Sequence, residues 1–155
     1  MKLTELFQPG KENWKWAFRN SEEAYAVFAV GDLPYKFYAY TDDMGSGEWE
    51  VEFGIDKGQI PPEKRKQLKA FGITGTGNAA TVMTTVTDIL RSFIQHYNNK
   101  ITELQFSAAE PSRQALYKRM LKRLLPAWKV IEYADGHGLQ LHVSPPRATN
   151  KETPQ

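Results

Sequence analysis

The 155-residue sequence has no cysteine, only three histidines, and no apolar run near the roughly 20 residues a membrane span requires. Without cysteine there can be no disulfide, no thiolate zinc site and no cysteine nucleophile. That absence is compatible with a reducing compartment, and the expectation is a cytoplasmic protein. The first residues show no signal-peptide pattern. The histidines lack metal-ligand spacing: His96 ends a helical pattern, His137 belongs to a turn, and His142 alternates on a terminal strand. No metal is expected. Ser107 and Ser112 lie in no motif that would activate a hydroxyl nucleophile. Net charge is small as well. With 20 basic and 18 acidic residues the chain carries +2, too little to argue for nucleic acid or a membrane surface.

What is present is periodicity. Trp14, Trp16 and Phe18 alternate with polar residues, as in a half-buried strand. Ala24 to Val30 and Tyr35 to Tyr40 flank Gly31-Asp32-Leu33-Pro34 and read as a hairpin. Glu48 to Ile55 (EWEVEFGI) puts Trp49, Val51 and Phe53 on one face and Glu48, Glu50 and Glu52 on the other. Asp56 to Phe71 is a connector, with one helical turn after Pro61-Pro62. Ala79, Val82, Met83, Val86, Ile89, Leu90, Phe93, Ile94 and Tyr97 recur at helical spacing, so a long helix ends at Asn98-Asn99. Ile101 to Ser107 alternates again. A second helix runs from Ser112 to Leu125 with Leu116, Tyr117, Met120, Leu121, Leu124 and Leu125 on its stripe, and Pro126 stops it. Val130 to Tyr133 and Leu139 to Val143 form a last hairpin about Asp135-Gly136-His137-Gly138.

The predicted order is β-β-β-(loop)-α-β-α-β-β. It implies an α/β (α+β) domain with a mixed, mostly antiparallel sheet and two main helices, the strand after the first helix lying parallel to the strand before it. Residues 1–144 make one domain, and 145–155 a polar, disordered tail.

The most informative stretch is Gly72 to Tyr97, GITGTGNAATVMTTVTDILRSFIQHY. A glycine-rich turn opening a helix leaves main-chain N–H groups and the positive end of the helix dipole available to an anion such as a phosphate. Gly75 and Gly77 serve equally well for a tight turn or a close helix–sheet contact, and Asn78 for a helix cap.

Over roughly residues 48 to 143 this arrangement resembles the GNAT superfamily of N-acyltransferases, which use acyl-coenzyme A. In that superfamily a Q/R-x-x-G-x-G/A turn holds the coenzyme pyrophosphate and a later helix carries N-x-x-A-x-x-L/F-Y. Here Gly72-Ile73-Thr74-Gly75-Thr76-Gly77 matches the x-x-x-G-x-G part and Leu116-Tyr117 the end of the second pattern. Gly72 replaces the basic or amide residue, Glu110 the Asn and Arg113 the Ala; no Gly-aromatic pair follows Tyr117. The chain is also similar to small acetyltransferase-like proteins of tailed bacteriophages, which would place it in a host cytoplasm.

The resemblance implies acetyl-CoA as acyl donor and a primary amine as acceptor. Thr74, Gly75, Thr76, Gly77 and Asn78 would hold the pyrophosphate, and Arg113 or Lys118 a 3′-phosphate. Tyr117 would protonate the departing thiolate, and Glu52, the nearest of three glutamates to its strand end, would take the amine proton directly or through water. Each has a plainer reading: Tyr117 as a core tyrosine, the glutamates as a solvated sheet face, the cations of the second helix as a solvated face around its leucines. The basic residues Lys64, Arg65, Lys66 and Lys69 and those of the second helix also fit a phosphate backbone. The alternative function is accordingly a GNAT-shaped protein without catalysis, acting as a phage-type interaction protein or on nucleic acid. A third is a structural domain whose glycine turn is merely tight.

Overall fold

The computed structural model describes residues 13–41, 46–65, 79–108, 111–135 and 138–146. Four strands come first: β1 (Trp14–Arg19), β2 (Glu23–Val30), β3 (Leu33–Tyr40) and β4 (Glu48–Ile55). A single helical turn, α1 (Pro62–Arg65), precedes the long helix α2 (Ala79–Tyr97). Strand β5 (Glu103–Ala108), helix α3 (Pro111–Leu124) and strands β6 (Lys129–Asp135) and β7 (Gly138–Ser144) complete the order. Among the described residues the seven strands form one sheet in the order β1-β2-β3-β4-β5-β7-β6. Every pairing is antiparallel except β4 with β5. The expected mixed sheet with two main helices is therefore what the chain forms. Among the described residues four strands precede the long helix, because Trp14–Arg19 is a full sheet member paired with β2 along its length.

Local chemistry accounts for the turns. Between β2 and β3 the ladder runs to Val30↔Leu33, leaving the two-residue loop Gly31-Asp32 with Gly31 at φ 61°. Short hairpin loops need a residue that adopts positive φ, and glycine does so at least cost. Between β1 and β2, Asn20 Oδ1 accepts from the N–H groups of Glu22 (2.8 Å) and Glu23 (2.9 Å). The β1 register skips a residue between Trp16 and Phe18. Trp14 and Trp16 thus stay on the buried side, while Phe18 crosses to the other face and stacks on Tyr25 with ring centroids 5.5 Å apart.

Both main helices cover one face of the sheet. On α2, Val82, Val86, Ile89, Leu90 and Phe93 are wholly buried, the stripe that a 3.6-residue period predicts. Phe93 packs edge-on to Trp49 at 5.1 Å and against Phe37 at 6.1 Å. On α3, Tyr117 meets Phe53 (5.1 Å) and Phe106 (5.5 Å). Side chains alternate across a strand, so Trp49, Val51 and Phe53 point to the helices. Glu48, Glu50 and Glu52 are exposed on the opposite face, as their alternation predicts.

Candidate active site

The site begins with an incomplete ladder. On one edge β4 pairs with β3 from Tyr40↔Glu50 to Tyr35↔Ile55. On its other edge it pairs with β5 only from Glu48↔Glu103 to Val51↔Phe106. Past that point β5 stays with β7 through Ala108↔Leu139, and β4 stays with β3. The sheet opens between two parallel strands that have parted.

Successive residues of a strand turn their N–H and C=O to opposite neighbours. The Phe53 carbonyl faces the gap, because it accepts from Arg113 Nη2 on α3. Gly54 and Asp56 face the other way, Asp56 N–H donating to Pro34 O at 2.9 Å. The N–H groups of Phe53 and Ile55 therefore share the gap side, where β5 offers them no ladder partner.

A cleft of ≈ 270 Å³ occupies this gap. Its walls come from both faces of the sheet: Phe53 and Tyr117 from the helix side, and Glu50, Glu52, Gln105 and Ser107 from the other. That placement brings the two predicted catalytic residues, Tyr117 and Glu52, to one cavity although their side chains leave the sheet on opposite sides. Glu52 is near enough for its charge to act on the Tyr117 hydroxyl.

Tyr117 is 1% exposed. Burial pushes its phenol above the ordinary tyrosine range, Arg113 pulls it back by charge and by hydrogen bond, and Glu52 adds a smaller upward push. The phenol stays protonated at neutral pH, the state a proton donor needs. Arg113 Nε donates to the Tyr117 hydroxyl oxygen at 3.0 Å. Its guanidinium lies 5.0 Å from the Phe53 ring centroid and 5.5 Å from that of Tyr117. Expected at a coenzyme 3′-phosphate, Arg113 is instead 3% exposed and engaged inside the gap. Lys118, the other cation considered for that phosphate, pairs with Glu132 of β6 at 3.1 Å.

Thr74, Gly75, Thr76, Gly77 and Asn78 lie outside the described residues, as do Lys66, Lys69, Glu110 and His137. His142, the ladder partner of Gln105, reaches Glu103 across the β5–β7 pair at 3.2 Å and packs on the Tyr133 ring at 4.5 Å. Among the described residues no three His, Asp or Glu side chains gather as metal ligands do. Sequence reasoning missed Gln105, Ser107 and Lys36 as cleft walls. It also missed the main chain of Phe53 and Ile55, whose availability no side chain advertises. Only the expected parallel pairing hinted that β4 and β5 would meet at a crossover, where neighbouring strands can diverge.

No protein-family model matches the sequence, and none of the curated proteins matches it. Solved structures do. The aminoglycoside acetyltransferase AAC(6')-Ib in complex with ribostamycin and coenzyme A is similar at TM-score 0.43 and 11% identity, over 87% of this chain and 70% of that one. The spermidine N-acetyltransferase SpeG from Vibrio cholerae is similar at TM-score 0.48 and 12% identity, over 82% and 67%. Likeness at this level concerns the arrangement of helices and strands.

Proposed function

We propose that this protein is a GNAT-type N-acyltransferase that moves an acyl group, most simply acetyl, from acyl-coenzyme A to a primary amine. The observation that supports this best is the opened β4–β5 seam, which presents main-chain N–H groups and a buried, protonated phenol to one cavity. An acyl thioester fits it. Its carbonyl oxygen gains negative charge as an amine attacks, and fixed N–H donors such as those of Phe53 and Ile55 stabilise such charge with little reorganisation. The sulfur must leave as a thiol, and Tyr117 supplies that proton.

The amine nitrogen forms a bond to the acyl carbon, the carbon–sulfur bond breaks, and the Tyr117 proton goes to sulfur. A cationic amine first gives one proton to Glu52 or to water beside it, which frees its lone pair for attack, and the second proton, released as the amide forms, passes by the same route to solvent. Glu50 and Glu52 mark the outer face as the side from which a cationic amine would enter. The pyrophosphate of the donor belongs at Thr74 to Asn78, by the resemblance of the Gly72–Gly77 turn.

Calorimetry and thermal shift with acetyl-CoA test the donor. Binding heat and a raised melting temperature at about millimolar ligand are expected. The absence of both signals at that concentration would remove the acyltransferase reading.

A further inference from the structure

Arg113 stands where the resembled motif carries alanine, in the first turn of α3. A cation there is opposed twice, by the positive end of the helix dipole and by burial. Lysine and arginine are rarely fully buried without specific bonding. Yet the residue is 3% exposed, and toward the described residues its guanidinium aims hydrogen bonds from Nη2 to the Phe53 carbonyl on the open edge of β4 and from Nε to the Tyr117 hydroxyl at 3.0 Å. Its Cζ lies over the rings of Phe53 and Tyr117, 5.0 Å and 5.5 Å from their centroids.

These bonds have directional consequences. Because Nε–H donates to the phenol oxygen, the phenol's own proton cannot point at Arg113 and turns elsewhere around that oxygen. Because Nη2 holds the Phe53 carbonyl, one planar group fixes the tyrosine hydroxyl and the strand edge in the same frame. Guanidinium suits this better than ammonium, since its donors are rigidly spaced.

From this geometry we infer that Arg113 is a positioning residue, which aims the Tyr117 proton into the cleft and receives the phenolate oxygen once that proton has gone to the leaving sulfur. The inference rests on the acyltransferase reading for its chemistry but not for its geometry. The donated proton leaves tyrosinate, whose negative oxygen then accepts a charge-assisted bond from Nε–H. Solvent returns a proton to the phenol in the next cycle.

The test uses the full chain labelled with carbon-13 at tyrosine Cζ, the Tyr117 signal being assigned by its loss in Tyr117→Phe. Arg113→Met and Arg113→Lys are compared with wild type near neutral pH, where each keeps a cooperative thermal transition. In Arg113→Met the Tyr117 Cζ signal moves, because the phenol oxygen loses its donor. With acetyl-CoA and an accepted amine, kcat falls at least about tenfold while the acetyl-CoA dissociation constant stays within about twofold. Adding Arg113→Met to Tyr117→Phe lowers kcat little further, because the two act as a unit. Arg113→Lys retains the charge and recovers part of kcat.

An unmoved Cζ signal, or rate losses that simply multiply in the double variant, would overturn the inference. So would tighter acetyl-CoA binding in Arg113→Met with no loss of kcat, since the guanidinium would then be obstructing the donor. If wild type binds no acetyl-CoA while the Cζ signal still moves, the acyltransferase reading fails and the Arg113–Tyr117 coupling stands.

Discussion

The seam between β4 and β5 has two ends built on opposite plans. At the closed end Gly47 O accepts from the N–H groups of Thr102 (2.7 Å) and Glu103 (3.2 Å), and Thr102 Oγ1 donates to Ser46 O at 2.8 Å. Trp49 Nε1 donates to Lys100 O at 3.2 Å, its ring lying within 5.1 Å of Phe93 and 4.6 Å of Tyr97. At the open end the ladder stops, and a single arginine spans from α3 to the strand edge. One strand thus serves stability over its first half and, over its second, turns toward the gap main-chain N–H groups that β5 does not pair. The cleft can stay open because its other end is held shut, which divides the expected consequences of mutation along β4.

Trp49→Ala should break the closed end most severely. Trp49 is 1% exposed and sits in the aromatic cluster joining α2 to the sheet. Truncating a buried large aromatic typically costs about 3–5 kcal/mol, and here the indole's hydrogen bond is lost too. Chemical denaturation should show the midpoint displaced by that amount with an unchanged slope. A cost below about 1 kcal/mol would mean the closed end is not anchored there.

Gly47→Ala acts on the same end through the backbone. Gly47 has φ 77°, and an added Cβ would lie 2.9 Å from Thr102 Cγ2 and 3.0 Å from Lys100 O. Both the positive φ and the contact oppose a side chain, so a loss of about 1–3 kcal/mol is expected. Amide hydrogen exchange at Thr102 and Glu103 should accelerate more than exchange in the β2–β3 hairpin. Equal acceleration throughout would show that the Gly47 bonds do not control this seam.

Most of the frame was legible in the residues. Glu48 to Ile55 alternates without interruption, and α2 carries its apolar stripe over five turns, so local pattern and tertiary burial agree. The parallel pairing followed from a helix between two strands. The extent of that pairing did not, because the point at which two strands part depends on what each prefers as its other neighbour. Arg113 shows a different kind of miss. Grouped with Lys118, Arg119, Lys122 and Arg123 by charge, it reads as part of a solvated face. By position it falls four residues before Tyr117 and eight before Leu121, on the buried stripe. Helical spacing held the signal, and residue type hid it. The reverse occurred at Phe18, where strict alternation implied the same face as Trp16 and the register skip sent it to the other.

The laddered edge of β4 gives the smallest of the expected effects, a contribution to stability that is lost as pH rises. Tyr38, opposite Glu52 in the β3–β4 pair, donates its hydroxyl proton to Glu23 Oε2 at 2.5 Å. That bond, then burial, pushes its phenol from 10.0 up to about 12. Between those values the folded chain keeps a proton that the unfolded chain has lost, so stability falls as pH rises through the interval. Below the lower value the contribution is fully present. Tyr38→Phe removes it. At about pH 8 the substitution should cost no more than about 1 kcal/mol, a net hydrogen bond's worth. Between about pH 9 and about pH 11 the wild type should lose stability more steeply than the variant, whose remaining decline comes from Tyr25, raised by burial and by Asp56, and from the other buried tyrosines. Urea midpoints at the two pH values measure the difference. Parallel declines would mean that Tyr38 and Glu23 do not share a proton on this face, and that the fully paired edge of β4 is held by its ladder alone.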